Sequence, residues 1–245
     1  MCTLSIFAID DTFILTMNRD EARNRAEANQ IKQKTNPHTT AYYPVDKSSG
    51  GSWLGFNDYG ISLALLNRYH ETHHNDAISR GLIIPQLLAY DNLTDIRQTL
   101  HTILRQKHNP FDLIFADTNE IIKFSWNGLQ LNQLKITTTE PYMLSSSSVA
   151  TDKVLSIRAK KFQTYTNEHQ RPHAQDILKD LHLQHQASDA SSSIFMSRAD
   201  THTKSISQII INKTILNYYY FDQAQLQHAT TDYNQCHHKN LKLKS

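Results

Sequence analysis

The sequence predicts an α+β protein with helices packed on the faces of β-sheets. Three observations carry that expectation. Hydrophobic patterning switches between a period of two and a helical period, in the order strands, paired helices, strands, paired helices, strands. No repeat, low-complexity tract or linker divides the chain, so residues 1–245 read as a single domain. An apolar fraction of 39% over 245 residues is enough to bury a sizeable core.

The elements follow in order. Residues 3–9 (TLSIFAI) and 12–18 (TFILTMN) are rich in β-branched and aromatic side chains and flank Asp10-Asp11, which predicts a β-hairpin. Asn18-Arg19-Asp20-Glu21 closes its second strand, and a polar, proline-containing stretch runs to about Lys47. Four of the six glycines (Gly50, Gly51, Gly55, Gly60) then fall within eleven residues, marking backbone that needs positive φ or close approach. Residues 56–60 read as a turn, and 61–66 as a strand ending at Asn67-Arg68. Apolar spacing of three and four predicts helices over 79–90, with Pro85 kinking it or marking its early turns, and over 93–106. Strands are expected at 111–116, 121–126, 129–136 and 142–145, helices at 152–165 and 174–183, and final strands at 205–212 and 214–221.

Composition excludes several classes of function. The net charge is only +2 and there is no Lys/Arg block, so nucleic acid is not expected as a partner. No apolar run approaches the ~18 residues of a membrane span. Asp10 and Asp11 interrupt the apolar start, which does not resemble a signal peptide. Two cysteines at opposite ends make no disulfide framework, and a reducing cytoplasm is the expected home. Homo-oligomerisation stays open.

One of those cysteines is Cys2. Removal of Met1 would give one residue both a thiol nucleophile and an α-amine, and such an amine can serve as base for its own side chain. The predicted hairpin places Cys2 at the head of a strand, where a sheet can hold it. Arg19 and Asp20 offer a cation to lower the thiol pKa and a carboxylate to hold the amine. Strand alternation puts Asn18 and Asp20 on one face and Arg19 and Glu21 on the other. Which pair faces Cys2 stays open, and Asn18 and Glu21 are candidates for substrate contact. Trp53 either lines a substrate pocket or anchors the glycine-rich loop in the core.

Met1-Cys2, Asn18-Arg19-Asp20-Glu21 and Gly50-Gly51-Ser52-Trp53-Leu54-Gly55, in this order, resemble the NRDE family, whose eukaryotic members are called transport and Golgi organisation proteins. That family is similar in pattern to cysteine N-terminal nucleophile hydrolases, including choloylglycine hydrolases and penicillin acylases. The resemblance implies a four-layer αββα sandwich and amide hydrolysis or acyl transfer; no cofactor is expected. It also implies that Asn67 supplies an oxyanion donor, against the plainer reading of a strand-end Asn that caps a turn. Two positions depart from the family pattern. Ser146 stands where relatives often carry Asn, and Lys204 where they often carry Arg; Arg198 is an alternative cation nearby. Lysine cannot reproduce the bidentate fork of arginine.

Other constellations compete less well. His70-Glu71-Thr72-His73-His74 matches the letters of a zinc signature but lacks the helical patterning that signature needs, and reads as a solvated loop. Cys236-His237-His238 reads as a polar tail, and Tyr218 to Phe221 as an ordinary strand. The leading expectation is a hydrolase or acyltransferase acting on a non-peptide amide C–N bond of a small molecule through Cys2. The alternative is a non-catalytic protein of the same fold that binds and carries a small ligand of the haem or acyl-CoA type.

Overall fold

The expected N-terminal hairpin forms. In the computed structural model, which describes residues 1–26, 31–185, 189–227 and 232–244, β1 (Cys2–Ile9) and β2 (Thr12–Ala22) pair antiparallel from Ile9↔Thr12 to Cys2↔Arg19. Asp10 closes the turn at φ 54°, a left-handed conformation that a short polar side chain tolerates. The hairpin sits inside a six-stranded sheet ordered β10 (Tyr142–Ser146), β1, β2, β11 (Thr201–Ile211), β12 (Ile215–Phe221) and β13 (His237–Lys242). A second sheet of seven strands follows chain order: β3 (Ile31–Thr35), β4 (Thr40–Pro44), β5 (Leu54–Asn57), β6 (Ser62–Asn67), β7 (Phe111–Ala116), β8 (Ile121–Trp126) and β9 (Leu131–Ile136).

The described residues group into two compact units. The first comprises Met1–Arg25, Thr138–Asn212 and Asn217–Asn240; the second comprises Ala26–Thr137, Lys213–Leu216 and Leu241–Ser245. In the first unit, helix α3 (Thr151–Glu168) and the short α4 (Ala174–Asp176), which runs on into a π-helical segment at Ile177–His182, cover one face of their sheet. Phe7 and Ile14 of the hairpin pack there with Tyr165, Ile177 and Leu181, and Ile206 and Phe221 pack with Leu178. Leu226, from the short α5 (Gln223–Gln227), completes that cluster.

In the second unit, α1 (Ile83–Leu87) and α2 (Leu93–Ile103) lay Ile83, Leu87, Ile96 and Leu100 against Leu63, Leu113, Phe115 and Phe124 of the sheet. The Asn92 side chain caps α2 by accepting the Asp95 N–H. Gly51 is needed for close backbone approach: a Cβ there would lie 2.5 Å from the Gly81 carbonyl carbon. Ser52 N–H donates to the Gly81 carbonyl at 2.8 Å, so the two glycines dock loop on loop.

Some local expectations change. The polar stretch before Lys47 contains β3 and β4. β3 is the sheet's edge strand, and its mostly exposed IKQKT carries the charges that protect such edges, which hides its strand character. β5 takes Phe56 and Asn57 from the predicted turn. The helix expected over 79–90 is a 3₁₀ turn at Arg80–Leu82 followed by the short α1, with Pro85 in its early turns as a missing N–H requires. The helix expected over 174–183 widens into the π-helical segment. His237 and His238 open edge strand β13, so that stretch is not a tail. No helix among the described residues is long and apolar enough to cross a membrane.

Candidate active site

Alternation along β1 divides its side chains between two environments. Thr3, Ser5 and Phe7 point at the helices: Thr3 Oγ1 meets Arg158, Ser5 Oγ meets His182, and the Phe7 ring lies 5.8 Å from that of Phe162. Cys2, Leu4 and Ile6 therefore occupy the opposite face. Cys2 stands directly across from Arg19, and antiparallel partners share a face, so Arg19 and the thiol are neighbours there. Asn18 and Asp20 take the helix face. Burial pushes the Cys2 thiol above its ordinary value; the N-terminal ammonium and Arg19 pull it back, the Asp20 carboxylate adds to the rise, and the Asp20 main-chain N–H favours the thiolate.

The nitrogen of Cys2 donates to Ser146 Oγ at 3.0 Å. Ser146 is the register partner of Cys2 on β10, so the residue that departs from the family pattern sits on the atom that would become the α-amine. Met1 is held by the main chain of Asp20: its ammonium donates to the Asp20 carbonyl at 3.0 Å, and the Asp20 N–H donates to its carbonyl at 2.9 Å.

The carboxylate of Asp20 is engaged on the helix face. It accepts from Arg158 Nη2 at 3.2 Å through Oδ2 and from Thr203 Oγ1 at 2.7 Å through Oδ1. Arg158 also donates to Thr3 Oγ1 at 2.7 Å, Ser145 Oγ at 3.1 Å and the Ser192 carbonyl at 3.3 Å. One buried guanidinium thus ties β10, β1 and β2 together at Ser145, Thr3 and Asp20, each adjacent in sequence to one of Ser146, Cys2 and Arg19. Asn18 serves a second network. Its Nδ2 donates to the carbonyls of His182 (2.9 Å) and Ile194 (3.1 Å), so its Oδ1 receives the His182 Nδ1–H at 2.5 Å. His182 Nε2 then accepts from Ser5 Oγ at 2.7 Å. Burial pushes the imidazole down to about 3, so this network holds a neutral ring.

Glu21 lies near Arg19 Nη2 at 3.7 Å and Arg25 Nε at 3.8 Å. Lys204 is the bulged residue where β11 shifts register between Thr203 and Ser205, and its ammonium donates to the carbonyls of Arg23 (3.0 Å) and Arg25 (2.7 Å). Arg198 reaches Met1: Nη1 lies 3.3 Å from Met1 Sδ, Nη2 donates to Ser147 Oγ at 3.3 Å, and Nε donates to the Ser191 carbonyl at 2.9 Å. The structure thus gathers Cys2, Asn18, Arg19, Asp20, Glu21, Ser146, Arg198 and Lys204 in the first unit.

Trp53 and Asn67 belong to the second unit. Trp53 is buried just before β5, and its carbonyl accepts the Leu65 N–H at 2.8 Å. Asn67 ends β6 and donates through Nδ2 to Tyr69 Oη at 3.1 Å. The His70–His74 segment lies outside any helix; His73 Nε2 sits 2.6 Å from the Arg68 carbonyl, and His74 N–H donates to Asn109 Oδ1 at 2.7 Å. Among the described residues no group of His, Cys, Asp and Glu is arranged to hold a metal ion.

Sequence reasoning missed Arg158, Ser147 and His182. Arg158 had a signal: with Val154 and Tyr165 it lies on the buried stripe of its helix, where a cation needs a buried partner. Ser147 and His182 carried none, because Arg198, Ser5 and Asn18, which they meet in the fold, are distant in sequence.

Comparison with known proteins agrees with this architecture. A family model described as "Transport and Golgi organisation 2" matches residues 1–232. No curated protein matches the sequence. Among solved structures, a variant of conjugated bile acid hydrolase from Clostridium perfringens superposes with a TM-score of 0.53 at 12% identity, covering 100% of this chain and 97% of that one. The Caenorhabditis elegans N-acylethanolamine-hydrolyzing acid amidase ortholog superposes with a TM-score of 0.52 at 12% identity, covering 99% and 100%. At such identities the likeness shows the fold, which is the αββα sandwich of the N-terminal nucleophile hydrolases.

Proposed function

The chain belongs to the Transport and Golgi organisation 2 family, and from that membership and its hydrolase fold we propose that it is a cysteine amidohydrolase, or acyltransferase, acting on a non-peptide amide C–N bond. The observation that carries this reading is the setting of Cys2: it shares its sheet face and register position with Arg19, and its nitrogen rests on Ser146 Oγ. In this reading Met1 is removed and that nitrogen becomes a free amine. Ser146 Oγ accepts one amine N–H and thereby orients the lone pair to take the thiol proton. Arg19, beside the sulfur, favours the thiolate that burial otherwise disfavours.

The thiolate attacks the amide carbonyl and a C–S bond forms. A hydrogen-bond donor at the carbonyl oxygen stabilises the oxyanion. The C–N bond then breaks, and the departing amine takes the proton held on the Cys2 nitrogen. Water attacks the thioester, releasing a carboxylic acid and restoring thiol and amine; an acceptor amine in place of water gives acyl transfer. Both described cysteines are free thiols, and the reading includes a reducing cytoplasm.

Intact mass of the purified protein, with turnover of a panel of amides, lactones and thioesters by wild type and by Cys2→Ser and Cys2→Ala, tests the proposal. The expected result is loss of the Met1 mass, turnover of at least one amide and none by Cys2→Ala. Met1 retained in a protein that turns over amides would remove the amine mechanism. A Cys2 alkylated at the rate of an ordinary thiol, with no substrate turned over, would favour the non-catalytic ligand carrier.

A further inference from the structure

The Met1 side chain ends against two polar groups, Arg198 and Ser147. Arg198 directs three donors at three partners: Nε at the Ser191 carbonyl, Nη2 at Ser147 Oγ and Nη1 at Met1 Sδ. The first two are oxygens at 2.9 Å and 3.3 Å. The third is a thioether, which is a weak acceptor, whereas a guanidinium bonds most strongly to a carboxylate. Ser147 is fully buried, and its hydroxyl proton goes to the Val149 carbonyl at 2.8 Å, a better acceptor than Met1 Sδ at 3.6 Å. Its oxygen accepts from Arg198 Nη2 at 3.3 Å and from the Val149 N–H at 3.4 Å. Met1 itself is clamped by the main chain of Asp20, so its side chain holds this place by covalent attachment to Cys2.

We infer that Met1 fills a subsite that, in the processed protein, takes a carboxylate carried on the acyl side of the substrate, held by Arg198 Nη1 beside Ser147. This rests on the hydrolase reading, in which Met1 leaves; departure of the methionine then frees the amine and takes away the poorest partner of Arg198 in one event. The preferred substrates are amides of dicarboxylic acids over amides of simple fatty acids of the same length. The Lys204 ammonium is directed instead at the Arg23 and Arg25 carbonyls.

The test compares glutaryl p-nitroanilide with the uncharged pentanoyl p-nitroanilide of the same chain length. The processed protein is expected to favour the glutaryl compound by at least about 10-fold in kcat/KM, as a charge-assisted pair implies. That ratio is expected to fall to near unity in Arg198→Gln and to recover in part in Arg198→Lys; should the Gln variant fail to fold, the Lys variant still reports a reduced ratio. Independently of turnover, free glutarate is expected to slow iodoacetamide labelling of Cys2 in the processed protein, but not in chain whose Met1 is kept by an N-terminal tag. Hydrolysis of both anilides at equal rates with no protection by glutarate would overturn the inference and leave the hydrolase reading standing. Arg198-dependent protection without hydrolysis of any amide would do the reverse. Equal protection with Met1 in place would overturn the inference.

Discussion

Arg158 and Asp20 form an ion pair of 3.2 Å in which neither side chain is exposed to solvent. A lone carboxylate at that depth would be strongly disfavoured, and the guanidinium is equally dependent on Asp20 for its counter-charge. Because Arg158 also binds Thr3 and Ser145, the pair joins the three strands that present Ser146, Cys2 and Arg19.

Arg158→Met is expected to destabilise the fold by roughly 3–5 kcal/mol, as removal of one partner of a buried pair does. Urea denaturation of the single variants and of Arg158→Met/Asp20→Leu checks this. The double variant should be more stable than Arg158→Met alone, since no unpaired charge remains; additive losses would mean that the two residues do not act as a pair.

Ser146→Ala removes the acceptor of the Cys2 nitrogen. Processed protein carrying it is expected to acylate Cys2 about 10-fold more slowly, a part of what a positioned base contributes. Ser146→Asn keeps a side-chain acceptor and should stay within about threefold of wild type. Single-turnover acylation measures both, and equal rates for wild type and Ser146→Ala would remove the role given to the hydroxyl.

The His182 network predicts a specific acid sensitivity. The buried imidazole has its pKa pushed down to about 3 from an ordinary 6.5, so below about pH 6.5 the unfolded chain takes up a proton that the native ring refuses. The contribution is absent above that pH, grows as pH falls and levels off near pH 3. At pH 5 it amounts to about 2 kcal/mol. Denaturation midpoints of wild type and His182→Gln at pH 7 and pH 5 measure it. The difference between the two proteins should shift by that amount in favour of the variant at the lower pH, and parallel behaviour would show that the ring is not held neutral.

Burial raises the Cys2 thiol while Met1 is in place. Chain that keeps Met1 behind an N-terminal tag should therefore label with iodoacetamide more slowly at pH 7.5 than a cysteine peptide does, with a rate still climbing well above that pH. Processed chain should label faster and reach half its maximal rate at lower pH. Superimposable pH profiles for the two forms would remove the link between processing and activation.

Much of this was legible in the chain. The hairpin showed itself because β-branched and aromatic residues flank a two-residue Asp turn, and α3 lay close to its expected bounds. The edge strands β3 and β13 did not, because an edge exposes its side chains and so carries the polar residues of a loop. In the site, Cys2 and Arg19 were identifiable by residue type and local position, and Ser146 only through the family resemblance. Arg158 was not assigned a role, since its carboxylate partner lies 138 residues away and helical spacing records only that some buried face exists.

The sequence by itself determined the residue types, the strand pairing at the N-terminus and the parity of the NRDE segment: a period of two obliges Asn18 and Asp20 to share one face and Arg19 the other. It could not say which of the two faces the helices cover. Only the tertiary structure decided that, because α3 and the π-helical segment cover one side of the sheet and draw Asn18 and Asp20 to it through His182 and Arg158. Parity is a local property of the backbone, whereas the choice of side depends on partners brought together by folding.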